Sequence, residues 1–176
     1  MEIEYKEGDI FKGDEGIIVH GCNAQGVMGS GIAKIVKEKY TYAYDVYRKV
    51  YEKDGLELGN VYFAYPPNMM VMGDPIIINA ITQFNYGRDP NVRYVSYDAV
   101  RKVVKALNHY SRTYISEWKD VHKEEPLQMK IAFPMIGAGL GNGDWNIISQ
   151  IIEEEAVDFK PVVYKYNDNG EIKNDD

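Results

Sequence analysis

At 176 residues, 45% hydrophobic and 27% charged, the chain has the size and balance of one globular domain with a layered core. A formal charge of −7 argues against broad nucleic-acid binding, which needs a basic face to displace counterions. One cysteine, Cys22, excludes an internal disulfide framework, and no apolar run nears the roughly 20 residues of a membrane span.

Met1–Tyr5 alternates weakly and reads as a first strand, after which Gly8 and Gly13 mark turns around Asp9–Phe11. Gly16–His20 is apolar and β-branched, the pattern of a central strand. Directly behind it, His20–Ala33 (HGCNAQGVMGSGIA) reads as strand end, glycine-rich turn and helix start at about Ile32. Gly26, Gly29 and Gly31 can take positive φ and let backbone amides close on an anion. A helix N-terminus adds unpaired N–H groups and partial positive charge. Helical spacing continues through Val36 and Tyr40 and again over Tyr42–Tyr51, and Asp54-Gly55 ends it.

Gly59–Tyr65 reads as a strand closed by Pro66-Pro67, and Ile76–Ile81 as a buried strand with the polar tip Thr82-Gln83-Phe84-Asn85. Ser96 is positioned to cap a helix over Ser96–Tyr110; the polar stretch Thr113–Gln128 is expected to extend it before a loop ending at Pro126. Lys130–Pro134 is another buried strand, followed by glycines at 137, 139, 141 and 143, then a helix from Trp145 to Ala156 and a strand over Pro161–Tyr166. Alternating strands and helices predict a three-layer α/β/α domain with a mostly parallel sheet. One domain over residues 1–166 with a frayed polar tail, 167–176, is expected.

Two glycine loops, each between a buried strand and a helix, suggest a pyrophosphate gripped from two sides. Neither fits a common nucleotide fingerprint: Gly-Lys-Ser/Thr is absent, and the second loop lies too near the C-terminus for a dinucleotide-binding first turn. His20, His109 and His122 lack zinc-site spacing, so no metal and no cofactor are expected. The acidic start MEIEY is not a signal peptide; a cytoplasmic monomer without a membrane partner is expected.

These residues resemble the macro domains. The resemblance covers most of the chain and rests on Gly8-Asp9-Ile10, His20-Gly-Cys-Asn23, Gly29-Ser-Gly31-Ile-Ala33, Ile81-Thr82-Gln83 and Pro134…Gly137-Ala-Gly139-Leu-Gly…Asp144-Trp145. It implies a three-layer α/β/α fold with a mixed, mostly parallel sheet and an ADP-ribose cleft. By resemblance Asp9 and Ile10 recognise adenine and Tyr164 lies beside it. Asn23 contacts the distal ribose. By the same resemblance Gly29, Ser30, Gly31 and Ile32 form one of the two loops around the pyrophosphate and distal ribose, and Gly137, Ala138, Gly139, Leu140 and Gly141 form the other.

The HGCN tip resembles the yeast-type ADP-ribose 1″-phosphate phosphatases. This implies His20 as general acid or base and Asn23 orienting the ribose or water. The branch that cleaves terminal ADP-ribose from protein uses a lysine and an aspartate at positions matching Gln83 and Gly141, and neither can serve here. A non-catalytic ADP-ribose reader and an ADP-ribosyl hydrolase acting on modified protein or nucleic acid stay open. ADP-ribosylated protein is the second candidate partner after ADP-ribose or its 1″-phosphate. Simpler roles also fit these residue types: Asn23 tying its own loop, Asp144 capping a helix, Cys22 filling the core.

Overall fold

The structure, a computed structural model, describes residues 1–68, 73–123 and 125–165. The expected boundary at residue 166 and the tail 167–176 lie outside the described residues. In chain order the elements are β1 (Glu4–Glu7), a 3₁₀ turn (Ile10–Lys12), β2 (Ile17–Asn23), α1 (Gly31–Lys39), α2 (Thr41–Lys53) and β3 (Val61–Ala64), then β4 (Ile76–Gln83), α3 (Tyr97–His122), β5 (Lys130–Pro134), α4 (Trp145–Glu155) and β6 (Lys160–Lys165). The sheet runs β1-β6-β5-β2-β4-β3. Among the described strands, β3, paired with β4, is the one that runs antiparallel.

Side-chain alternation along each strand divides the core into two layers. Val19, Ile78, Ala80, Phe133 and Val163 pack under α3 and α4 with Val104, Leu107, Ile148 and Ile152. Ile18, Cys22, Ile77, Ile81, Ala132 and Val162 pack against α1 and α2 with Val36, Ala43 and Tyr47. The expected three layers and mixed sheet are therefore present.

Several boundaries differ from those read in the sequence. The second strand continues past His20 to Asn23, because β4 stays in register with it up to a bulge between Cys22 and Asn23. The long helix runs past Tyr110 to His122, the extension expected of the polar stretch that follows. Ser96 caps its start, accepting from the Ala99 amide at 3.1 Å, and Lys123 in the left-handed conformation ends it. Beyond Ser111 that helix is mostly exposed. A polar extension without an apolar stripe leaves no periodic signal, yet an already nucleated helix propagates cheaply.

Five parallel strands deliver their carboxyl ends to one edge of the sheet. That edge is where open α/β sheets place ligands. No helix among the described residues is long and apolar enough to cross a membrane.

Candidate functional site

A cavity of about 510 Å³ opens at the tips of β2, β4 and β5, within the size range of small-molecule sites. One wall is the turn after β2. The Asn23 Oδ1 accepts from the Gln25 amide at 3.0 Å and from the Tyr47 hydroxyl at 3.0 Å, and its Nδ2 donates to the Val27 carbonyl at 2.7 Å. This side chain therefore ties down its own loop. It leaves one amide hydrogen uncommitted among the described residues. Tyr47, fully buried, pins the turn from α2 by also donating to the Asn23 carbonyl at 2.8 Å. Tyr47 was not singled out in the sequence, where it is one more aromatic on an apolar helix face.

Gly29–Ala33 line the cavity at the start of α1. Ser30 stands at the N-cap position, but its hydroxyl makes no capping bond, so no side chain occupies the first-turn amides. Such an end carries exposed donors and partial positive charge. Gly26 and Gly31 have positive φ as expected, whereas Gly29 does not.

The opposite wall is the second glycine loop. Gly137 takes φ +73°, and the loop closes on itself through Ala138 N–H to Met135 O at 3.1 Å and Gly143 N–H to Gly137 O at 2.8 Å. Gly141 is required by space, since a Cβ there would stand 2.6 Å from the Gly137 carbonyl. Gly137, Gly139, Leu140 and Gly141 line the cavity. Ala138 does not; it packs against the core layer beneath α4. Asp144 is a helix cap, its Oδ1 accepting from Asn146 N–H at 2.8 Å.

A third contribution comes from residues after β4: Thr82, Gln83, Tyr86, Gly87 and Arg88 all line the cavity. The polar tip after a buried strand was the available signal, and it extends three residues further than the tip recognised in the sequence. Among the described residues, Arg88 is the only one lining the cavity that is charged at neutral pH. The Thr82 Oγ1 is buried without a hydrogen-bond partner among the described residues.

His20 is not in the cavity wall, which corrects the expectation of direct acid–base chemistry. Its position on β2 turns the ring to the face of Ile18 and Cys22, under α2, where it is fully buried. The ring Nε2 lies 2.7 Å from Asn79 Oδ1, and the Asn79 amide nitrogen donates to the Ala43 carbonyl at 2.9 Å. That bond fixes the amide orientation, so Nε2 carries the proton and donates. Burial away from water lowers the imidazole pKa to about 4, against a smaller opposing effect of the Asn79 bond. His20 is neutral at physiological pH and acts as a structural donor. Cys22, 3.6 Å from the same ring, is also buried, and desolvation pushes its thiol pKa up.

Asp9, Ile10 and Tyr164 are likewise absent from the cavity lining. Asp9 caps the 3₁₀ turn, its Oδ1 accepting from Phe11 N–H at 2.9 Å, and Ile10 is buried. The Tyr164 hydroxyl donates to the Glu15 carboxylate at 2.9 Å, and Lys6 holds the same carboxylate at 2.6 Å. These residues lie at the β1–β6 edge, on the side of the cavity away from β4.

No family model matches the chain. It is 25% identical over 92% of its length to the DNA ADP-ribosyl glycohydrolase of Mycobacterium tuberculosis, of which it spans 42%. It is also 25% identical to the ADP-ribose 1″-phosphate phosphatase of Meyerozyma guilliermondii, covering 89% of this chain and 95% of that one. Among solved structures, the macrodomain of Thermus aquaticus DarG superposes with a TM-score of 0.69 at 25% identity, over 93% of this chain and 97% of that one.

Proposed function

With the chain taken as a macro domain, we propose that its cleft holds ADP-ribose and that the protein hydrolyses ADP-ribose 1″-phosphate to ADP-ribose and phosphate. The observation that carries this reading is the facing pair of glycine loops, one opening into an uncapped helix start. Backbone amides on both sides of a narrow space suit a pyrophosphate. The adenosine end points toward Asp9 and the β1–β6 edge. Asn23 keeps one N–H for the distal ribose. Relatives named as a phosphatase and a glycohydrolase support a hydrolase of ADP-ribose derivatives.

Among the described residues, the cavity lining contains no aspartate, glutamate or histidine. Phosphoryl transfer depends mainly on positioning and on stabilising charge at the phosphoryl oxygens. Loop amides supply that stabilisation, and the phosphate dianion itself takes the proton of the attacking water. Water adds to phosphorus, the P–O bond to the 1″-oxygen breaks, and the proton ends on that oxygen. His20 contributes by holding the β2 tip from beneath, as a positioning residue.

Phosphate release from ADP-ribose 1″-phosphate by the purified protein tests the reading. Release is expected, and His20→Gln is expected to retain at least about a third of kcat with an unchanged pH profile. Binding of ADP-ribose without release would leave a reader in place of an enzyme. A second reading, hydrolysis of ADP-ribosylated nucleic acid or protein, is favoured by the likeness to the glycohydrolases. Loss of label from ADP-ribosylated oligonucleotide or protein, without phosphate release, would select it.

A further inference from the structure

Arg88 lines the cleft as an exposed residue without a partner among the described residues. Among the described residues it makes no ion pair or hydrogen bond, and every other side chain of the lining is uncharged at neutral pH. In a chain of net charge −7, a lone unpaired cation facing a cavity points to an anionic ligand group. The adjacent acid does not neutralise it: Asp89 Oδ1 accepts from Asn91 N–H at 2.9 Å, turning that carboxylate into its own turn.

The loop bearing Arg88 is anchored. Asn142 Nδ2 donates to the carbonyls of Asp89 and Val92 at 2.8 and 2.7 Å, and the Tyr94 and Val95 amides donate to the Gly141 carbonyl at 2.9 and 3.0 Å. Gly87 allows the close fit, because a Cβ there would stand 2.2 Å from the Tyr94 hydroxyl oxygen. These bonds tie the loop to the second glycine loop.

Its place along the sheet identifies which anion it meets. The second glycine loop follows β5, the first follows β2, and Arg88 follows β4, the next strand outward and, of these three, the farthest from the β1–β6 edge. With the pyrophosphate between the two glycine loops, Arg88 lies beyond it, at the distal ribose. We propose that Arg88 is the residue that selects ADP-ribose derivatives bearing a phosphate monoester on the distal ribose over ADP-ribose itself. The planar guanidinium matches phosphate oxygens in pairs, and one cation suits one terminal phosphate better than a nucleic-acid strand, which engages several. This inference rests on the ADP-ribose reading of the cleft.

The test compares wild type, Arg88→Gln and Arg88→Lys with both ligands, by calorimetric Kd and, where phosphate is released, by KM. Thermal melting of each variant checks folding. Arg88→Gln should weaken the 1″-phosphate roughly 10- to 100-fold and move ADP-ribose less than about threefold. Arg88→Lys should recover part of the loss, and added salt should narrow the gap between ligands in wild type more than in Arg88→Gln. Equal losses for both ligands would place Arg88 on the shared pyrophosphate and overturn the proposal. No loss for either would leave it a surface cation, with the same consequence. Failure of wild type to bind ADP-ribose would instead remove the reading beneath it.

Discussion

The imidazole of His20 illustrates how burial outranks residue type. The HGCN tip offers a group whose free pKa suits proton transfer near neutrality, but the folded chain keeps it away from water and from the cavity. A stability signature follows. The unfolded ring binds its proton near the ordinary value of 6.5, and the folded ring only at about 4. The unfolded state therefore gains protons first as pH falls, so stability is full above about pH 6.5 and is lost on the way down to about 4. Between pH 6.5 and 5 this loss is about 2 kcal/mol. Urea unfolding at both pH values should show it in the wild type, and His20→Gln should lack this component of the slope.

At the level of elements, the two glycine loops separate glycines needed by the fold from glycines that leave room for something else. Gly141 is held by a backbone carbonyl 2.6 Å from where its Cβ would be. At Gly139 a Cβ would meet nothing within 4 Å, at Gly29 only Val27 at 3.7 Å, and neither has positive φ. Gly141→Ala should therefore destabilise the free protein by about 1–3 kcal/mol. Gly139→Ala and Gly29→Ala should change stability by less than about 0.5 kcal/mol while weakening ADP-ribose roughly tenfold or more, if the ligand approaches backbone there. Denaturation curves and calorimetry on the same samples distinguish the two classes; equal affinities for all three variants would argue against a ligand between the loops.

For the whole molecule, the decisive feature is the parallel run β1, β6, β5, β2 and β4, which lines up strand tips from distant parts of the chain. A ligand lying along that edge binds only the folded state. ADP-ribose at about 100 times its Kd should then add roughly 2.7 kcal/mol of stability, a rise in Tm of about 5–10 °C for a domain of this size. Scanning fluorimetry checks this, and an unchanged Tm at saturating ADP-ribose would count against the cleft assignment.

Much of this architecture was legible from residue order. Apolar runs at 17–19, 76–81 and 131–133 mark strands because only buried sheet needs them, and the glycine runs mark turns because no regular element tolerates them. The resemblance carried by these runs brought the fold with it. What the sequence could not reveal is direction across space. His20 lies three residues short of the end of β2 and is fully buried, while Gly21, Cys22 and Asn23 beyond it line the cavity. The Tyr164 hydroxyl is committed to Glu15, a pairing 149 residues apart that no local pattern announces. Arg88, unremarkable in sequence, gains its meaning from lining the same cavity as Gly141 and Asn23. Local chemistry determined the strands, turns and helices; only the sheet order decided which side chains share a cavity, because that depends on contacts between segments distant in the chain.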